Sequence, residues 1–326
     1  MSSFPNIRLR RLRNNEKIRE IVQETRLSTK DFICPVFIQE GLKGPVKIDS
    51  MPGIERFPLE KVNDEVNRIT NLGIPAVMLF GLPSTKDKLG SSSYNENGIV
   101  QRAISQIRKN FGDKIAIMAD VCLCQYTESG HCGIIKDNKI DNDSSIETLT
   151  KIAVSQANVG VDIVSPSAMM DGQVMAIRHG LDDAGFSDVA IMSHSAKHRS
   201  SFYTPFRSAA ECAPQFGDRK TYQVPFTNAR EAIREVEMDV NEGVDIVMIK
   251  PALAYLDLIA ESKKRFNIPI SAYSVSGEYS LVKGAAKQGW IQEKDIMIEI
   301  LYSIKRAGAD MIVTYFAKSA AEILNE

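Results

Sequence analysis

The chain has 326 residues, enough to bury a large core as one large domain or two ordinary ones. A formal net charge of −1, with 44% hydrophobic and 25% charged residues, gives an ordinary soluble globular composition and no support for a nucleic-acid binder. No apolar run approaches the roughly 18 residues of a membrane span, the N-terminus lacks the apolar core of a secretory signal, and five cysteines, three of them clustered, argue for a reducing, cytoplasmic setting rather than a disulfide framework.

Residues 1–30 are polar, with Arg8, Arg10, Arg11 and Arg13 close together and Ile18, Ile21, Val22 and Leu27 as apolar points. They read either as a solvated basic tail or as an arm that packs on a neighbouring subunit. Beyond them one pattern repeats. Strands are predicted at 32–38, 76–81, 115–123, 162–168, 189–197, 245–252, 269–276 and 311–317, because each is a short apolar, β-branched run. Helical spacing of apolar residues falls between them, at 59–72, 99–111, 144–159, 173–184, 228–241, 255–266, 279–287, 294–307 and 318–324. Several of these helices run into a glycine, as at Gly73, Gly160, Gly243 and Gly308, the usual stop before a following strand. Eight strand–helix units in one chain predict a closed (β/α)8 TIM barrel over 31–326, preceded by the N-terminal arm. An open doubly wound sheet fits less well: Gln39-Glu40-Gly41-Leu42-Lys43-Gly44 after the first strand is not a G-x-G-x-x-G phosphate turn.

Chemistry in such a barrel gathers where the strands end. The sixth strand runs Ile246-Val247-Met248-Ile249 into Lys250, and Pro251 then stops the ladder because it has no N–H to donate. A poorly solvated lysine there loses ammonium stability, which makes it a free amine able to attack a carbonyl and form a Schiff base. The fifth strand ends on a second lysine, Lys197, in His194-Ser195-Ala196-Lys197. The other ends are polar too: Asp120 on the third strand, Ser165 and Ser167 on the fourth, Tyr273 to Ser276 on the seventh, Thr314-Tyr315 on the eighth. Single cases would be solvated loop residues, but six together point to a site.

Cys122 and Cys124 lie on one side of an extended chain, and Gly130 and Gly133 let the loop bring Cys132 back. Three thiolates suit zinc and leave its fourth position open; an iron–sulfur cluster is the competing occupant. His131 either adds a ligand or shapes the loop. Cys34 and Cys212 have no neighbours in sequence and read as ordinary buried thiols. The connection from His198 to Thr227 exceeds the usual length and reads as a lid. Its arginines, Arg199, Arg207 and Arg219, are suited to clamp a carboxylate.

The segments MADVCLCQYTESGHCG, SPSAMMDG, SHSAKHRSSFYTPFR, GDRKTYQ, MIKPALAYLD and YSVSGEY, in this order, resemble the 5-aminolevulinate dehydratase (porphobilinogen synthase) family over nearly the full chain. The resemblance implies a (β/α)8 barrel with an arm wrapping a neighbour, usually in octamers. It also implies condensation of two 5-aminolevulinate molecules to porphobilinogen, with loss of two waters, in tetrapyrrole biosynthesis. By motif, Lys250 is then the Schiff-base lysine and Lys197 the second active-site lysine, each depressing the other's pKa. Cys122, Cys124 and Cys132 are the zinc ligands. Arg207, Arg219 and Gln223 hold the second substrate's carboxylate, Ser276 and Tyr315 that of the first, and Asp120, Ser165 and Ser167 lie near the reacting centre. Glu235 matches the position of a regulatory magnesium, and Thr221 stands where some relatives carry a further cysteine. A class I aldolase would leave the cysteines and the second lysine unexplained. A catalytically silent metal-binding subunit would leave both lysines and the lid arginines unexplained.

Overall fold

The computed structural model describes residues 4–326. Eight parallel strands form the barrel: β1 (Phe32–Gln39), β2 (Ala76–Leu82), β3 (Ala116–Val121), β4 (Ile163–Pro166), β5 (Ala190–Lys197), β6 (Ile246–Lys250), β7 (Ile270–Ser274) and β8 (Met311–Thr314). They pair in sequence order, and β8 returns to β1 through Phe32↔Ile312 and Ile33↔Val313, which closes the ring. Nearly every strand residue is buried, as expected where side chains fill the barrel on one face and meet helices on the other.

The outer layer is α1 (Val62–Asn71), α2 (Ile99–Phe111), α3 (Asn142–Ala157), α4 (Gln173–Asp183), α5 (Ala229–Asn241), α6 (Leu256–Arg265), α7 (Ser276–Lys287), α8 (Glu293–Ala307) and α9 (Ala317–Leu324). Local chemistry sets their starts. The Asp141 carboxylate accepts from the Ser144 N–H at the N-terminus of α3. The Glu278 carboxylate accepts from the Val275 N–H at 2.8 Å and the Leu253 N–H at 2.7 Å, so it fixes both the start of α7 and the turn after Lys250.

Three features depart from the expected pattern. Ser276 opens α7 rather than ending β7, because Glu278 nucleates the helix three residues earlier than apolar spacing suggests. Two short hairpins, 46–47 with 55–57 and 134–136 with 139–141, decorate the barrel. The long β5–α5 connection is not irregular throughout: it holds a short helix at Thr204–Ala209, the lid helix. In the arm, a 3₁₀ turn at Leu9–Arg13 and a helix at Glu16–Ile21 bury no side chain of their own, whereas Leu27 is tucked into the core.

Candidate active site

Adjacent strands place the two lysines side by side. Lys197 and Lys250 are register partners across β5 and β6, beyond a bulge between Val247 and Ile249, so neighbouring strand ends carry both amines. Both are almost fully buried. Their surroundings differ. The Lys250 amine stands 4.0 Å from the centre of the Tyr273 ring, with Phe206 at 5.4 Å and Tyr203 at 5.6 Å. Tyr203 also donates its hydroxyl to the Lys250 carbonyl at 3.0 Å. Burial in this aromatic sleeve, with Lys197 close by, lowers the Lys250 amine from 10.5 to about 7.

Lys197 behaves otherwise, which corrects the expectation that each lysine depresses the other. Burial works against its charge, but Cys132, Cys122, Asp120 and Cys124 together outweigh that penalty and raise its pKa. Its ammonium donates to the Ser167 carbonyl. The barrel mouth therefore carries one amine near neutrality and one firmly charged.

The sulfur atoms of Cys122, Cys124 and Cys132 all lie within 4.8 Å of one another and are buried, with Cys122 and Cys124 at 3.4 Å. Among the described residues no other group of three His, Cys, Asp or Glu converges in this way. Cys132 ionises first: Cys122 and Cys124 hydrogen-bond to its sulfur, and Arg219 and Lys197 add positive potential. A tight, buried set of three soft donors with cations alongside fits a thiophilic divalent ion. His131 is not aimed at the trio. Its two ring nitrogens engage the Tyr222 hydroxyl at 3.0 Å and the Phe216 carbonyl at 2.9 Å, so it ties the cysteine loop to the lid. Cys34 is a core thiol, pushed up to about 12 by burial. Cys212 is buried as well, and neighbouring Cys124, then Arg219, lower its pKa to about 7 against the penalty of burial.

The lid is stitched to the barrel rim. The Ser276 hydroxyl accepts from the Phe206 N–H at 3.0 Å and donates to the Phe202 carbonyl at 3.2 Å. Gly277 is needed there, because a Cβ would come within 2.5 Å of the Phe202 carbonyl oxygen. Arg207 and Arg219 line one cavity of about 440 Å³, with Arg199 on the same wall. Arg219 spends one nitrogen on carbonyls, yet the Nε of both Arg207 and Arg219 has no partner. Buried donors left open in this way are what an incoming carboxylate would satisfy. Gln223 is buried with both amide atoms unpartnered, but it lines a neighbouring cavity of about 800 Å³ instead. Glu235 and Glu231 line that second cavity as well. Burial, then repulsion from Asp171, Asp239, Glu231 and Glu242, raises Glu235 to about 7.

The remaining expected residues fall around the lysines. Asp120 accepts from the Gln125 amide at 3.0 Å and keeps one buried oxygen unpartnered. The Tyr315 and Tyr273 hydroxyls bond to each other at 3.0 Å. Ser165 spends its hydroxyl on the Met192 carbonyl at 2.8 Å, so it shapes the β4–β5 seam. Sequence reasoning did not assign roles to Tyr203, Phe206 and Tyr273 around Lys250. Their aromatic character at a strand end and in a lid was the available signal.

Comparison with known proteins agrees with this geometry. The family model described as delta-aminolevulinic acid dehydratase matches residues 6–323. Proteins named delta-aminolevulinic acid dehydratase from Halalkalibacterium halodurans and Bacillus subtilis are 52% and 51% identical, over 98% of this chain and 97% and 98% of theirs. One from Archaeoglobus fulgidus is 52% identical over 99% of this chain and its own full length. A crystal structure of the Toxoplasma gondii enzyme, described as porphobilinogen synthase in complex with its reaction product porphobilinogen, superposes with a TM-score of 0.95 at 42% identity, covering 97% of this chain and 91% of that one. With matches of this extent, the chain belongs to the delta-aminolevulinic acid dehydratase family.

Proposed function

We propose that this protein condenses two molecules of 5-aminolevulinate into porphobilinogen with release of two waters, a lyase step of tetrapyrrole and heme biosynthesis, and that Lys250 is its imine-forming amine. The observation that carries the assignment of roles is the contrast between Lys250, dry and near neutrality, and Lys197, buried beside it but charged. The free amine of Lys250 attacks the keto carbon of one substrate molecule, and the carbinolamine loses water to leave a protonated imine. Closed aromatic walls keep bulk water from reversing this step. The Lys197 ammonium stands one strand away as a donor for oxygen that leaves the second molecule. Arg207 and Arg219 hold that molecule's carboxylate through their open donors, with Gln223 at the margin, while Ser276 and Tyr315 serve the carboxylate of the first. Asp120, which keeps one buried oxygen unpartnered, serves as a proton acceptor.

Cys122, Cys124 and Cys132 are the residues that hold zinc in this reading. Bound there, the ion would polarise a substrate oxygen as a Lewis acid. Magnesium at Glu235 is a separate proposal that rests on the acidic cavity wall; a hard cation keeping its own waters would relieve the repulsion among Glu231, Glu235 and Asp171. The exposed Phe4, Ile7, Leu9, Leu12 and Ile21 of the arm favour a homo-oligomer, an octamer by family precedent, in which a neighbour covers them. No helix of the described residues is long and apolar enough to cross a membrane.

The test is direct. Borohydride added with 5-aminolevulinate should leave one reduced adduct on the peptide containing Lys250. An adduct found only elsewhere, or none in a protein that turns over, would refute the assignment. Metal analysis of the purified protein, with activity restored to chelated protein by zinc and not by iron, separates zinc from an iron–sulfur cluster.

A further inference from the structure

One buried carboxylate joins the chain leaving β6 to the chain leaving β7. Glu278, in the first turn of α7, is 2% exposed. Its Oε1 accepts from the Leu253 N–H at 2.7 Å and its Oε2 from the Val275 N–H at 2.8 Å. Leu253 belongs to the turn that follows Lys250, and Val275 immediately precedes Ser276. Both oxygens are thus spent on main-chain donors from two separate segments. Each segment is also held from its other side. The Lys250 carbonyl accepts from the His198 N–H at 2.9 Å and from the Tyr203 hydroxyl at 3.0 Å. The Ser276 hydroxyl engages the lid at Phe202 and Phe206.

An ionised carboxylate accepts on both oxygens and donates nothing, so it can serve two N–H groups that approach from different sides. Keeping it dry is unfavourable: burial pushes the Glu278 carboxyl up to about 7, against the pull of the two N–H groups. Starting α7 alone would not call for such a residue, since a short polar cap does that. What the longer side chain adds is the second segment. The two segments carry groups assigned above to one substrate molecule, Lys250 to its keto carbon and Ser276 to its carboxylate. We propose that Glu278 is a positioning residue: by fastening the turn after Lys250 to the residue before Ser276, it sets the span between the imine-forming amine and the carboxylate-holding hydroxyl, and so selects a γ-keto acid as the first molecule. This rests on the reading that those two groups act on the same molecule. A misplacement of about 1 Å can cost about a hundredfold in rate. A slackened span therefore penalises a ligand held at both ends and leaves alone one held only at the amine.

The experiment compares the full-length wild type with Glu278→Gln, using three ketone probes: levulinate, which is a γ-keto acid, its homologue one methylene longer, and acetone, which has no carboxylate. Each is trapped with borohydride, and the rate is read as adduct on the Lys250 peptide. The wild type should prefer levulinate over the longer acid. Glutamine keeps one acceptor and turns a donor toward the other amide. In the variant, levulinate trapping should fall by about 10–100-fold, the preference between the two acids should shrink, and acetone trapping should stay unchanged. Unchanged levulinate trapping, an equal fall for all three probes, or a wild type without the preference would each overturn the proposal. If the variant does not fold, hydrogen exchange of the wild type decides. The Leu253 and Val275 amides should be protected, and slowed further once levulinate is reduced onto Lys250; open-loop rates, or no response to the adduct, would overturn the clasp. A wild type that yields no Lys250 adduct with any probe would instead sink the imine reading beneath it.

Discussion

Lys250 and Lys197 are the same residue type, on neighbouring strands, in register and similarly buried, yet their pKa values are pushed in opposite directions. Aromatic rings surround the first amine, and rings cannot replace the hydration of an ammonium; its pKa drops to about 7. The sulfur cluster and Asp120 act on the second, Cys132 most strongly, and they offset the same burial. Burial alone therefore does not decide a lysine's role: the sign of what shares the pocket does.

Experiments that break the contrast should differ in size. The largest effect belongs to Lys250→Ala. It removes the amine that attacks, and turnover should fall by at least about a thousandfold; steady-state kinetics near the wild-type rate would show that another group forms the imine. Next comes a stability change. The unfolded chain binds the Lys250 proton up to about pH 10.5, whereas the folded chain releases it near 7. Folding is thus penalised below pH 7, and the penalty is relieved as pH rises from 7 to 10.5. Lys250→Met should raise the unfolding midpoint at pH 6–7 by a margin worth on the order of a few kcal/mol, and the gain should shrink toward pH 10. Urea denaturation at both pH values checks this, and a pH-independent gain would contradict it. The smallest effect is that of Arg207→Ala. Loss of a charge-assisted hydrogen bond to a carboxylate costs about 1.5–3 kcal/mol, so the substrate concentration at half-saturation should rise by roughly tenfold to a hundredfold while Lys250 is still trapped by borohydride. An unchanged saturation curve would remove Arg207 from substrate binding.

Much of this was legible in the sequence. The strands announced themselves because parallel barrel strands are buried on both faces and read as continuous apolar runs, and the lysines could be placed because each ends such a run. Cys122, Cys124 and Cys132 were legible from short spacing. What escaped depended on contacts distant in sequence. Cys212 comes beside the cysteine loop only when the lid folds onto it, with Arg219 donating to both the Cys212 and the Gly130 carbonyl, so its position in the chain carried no sign of this. The charge of Lys197 depends on how near it lies to the sulfurs. The lid helix and the two hairpins were missed because elements of two to six residues are too short to show a period. Ser276 was read as strand because local β propensity hid the capping role of Glu278.

The most direct test of the central claim is competitive acetylation of the intact protein with acetic anhydride across pH 5–11, read peptide by peptide. Lys250 should reach half its limiting reactivity near pH 7, with Lys197 still unreactive until above its ordinary range. Matching midpoints for the two lysines, or Lys250 titrating near 10.5, would contradict it.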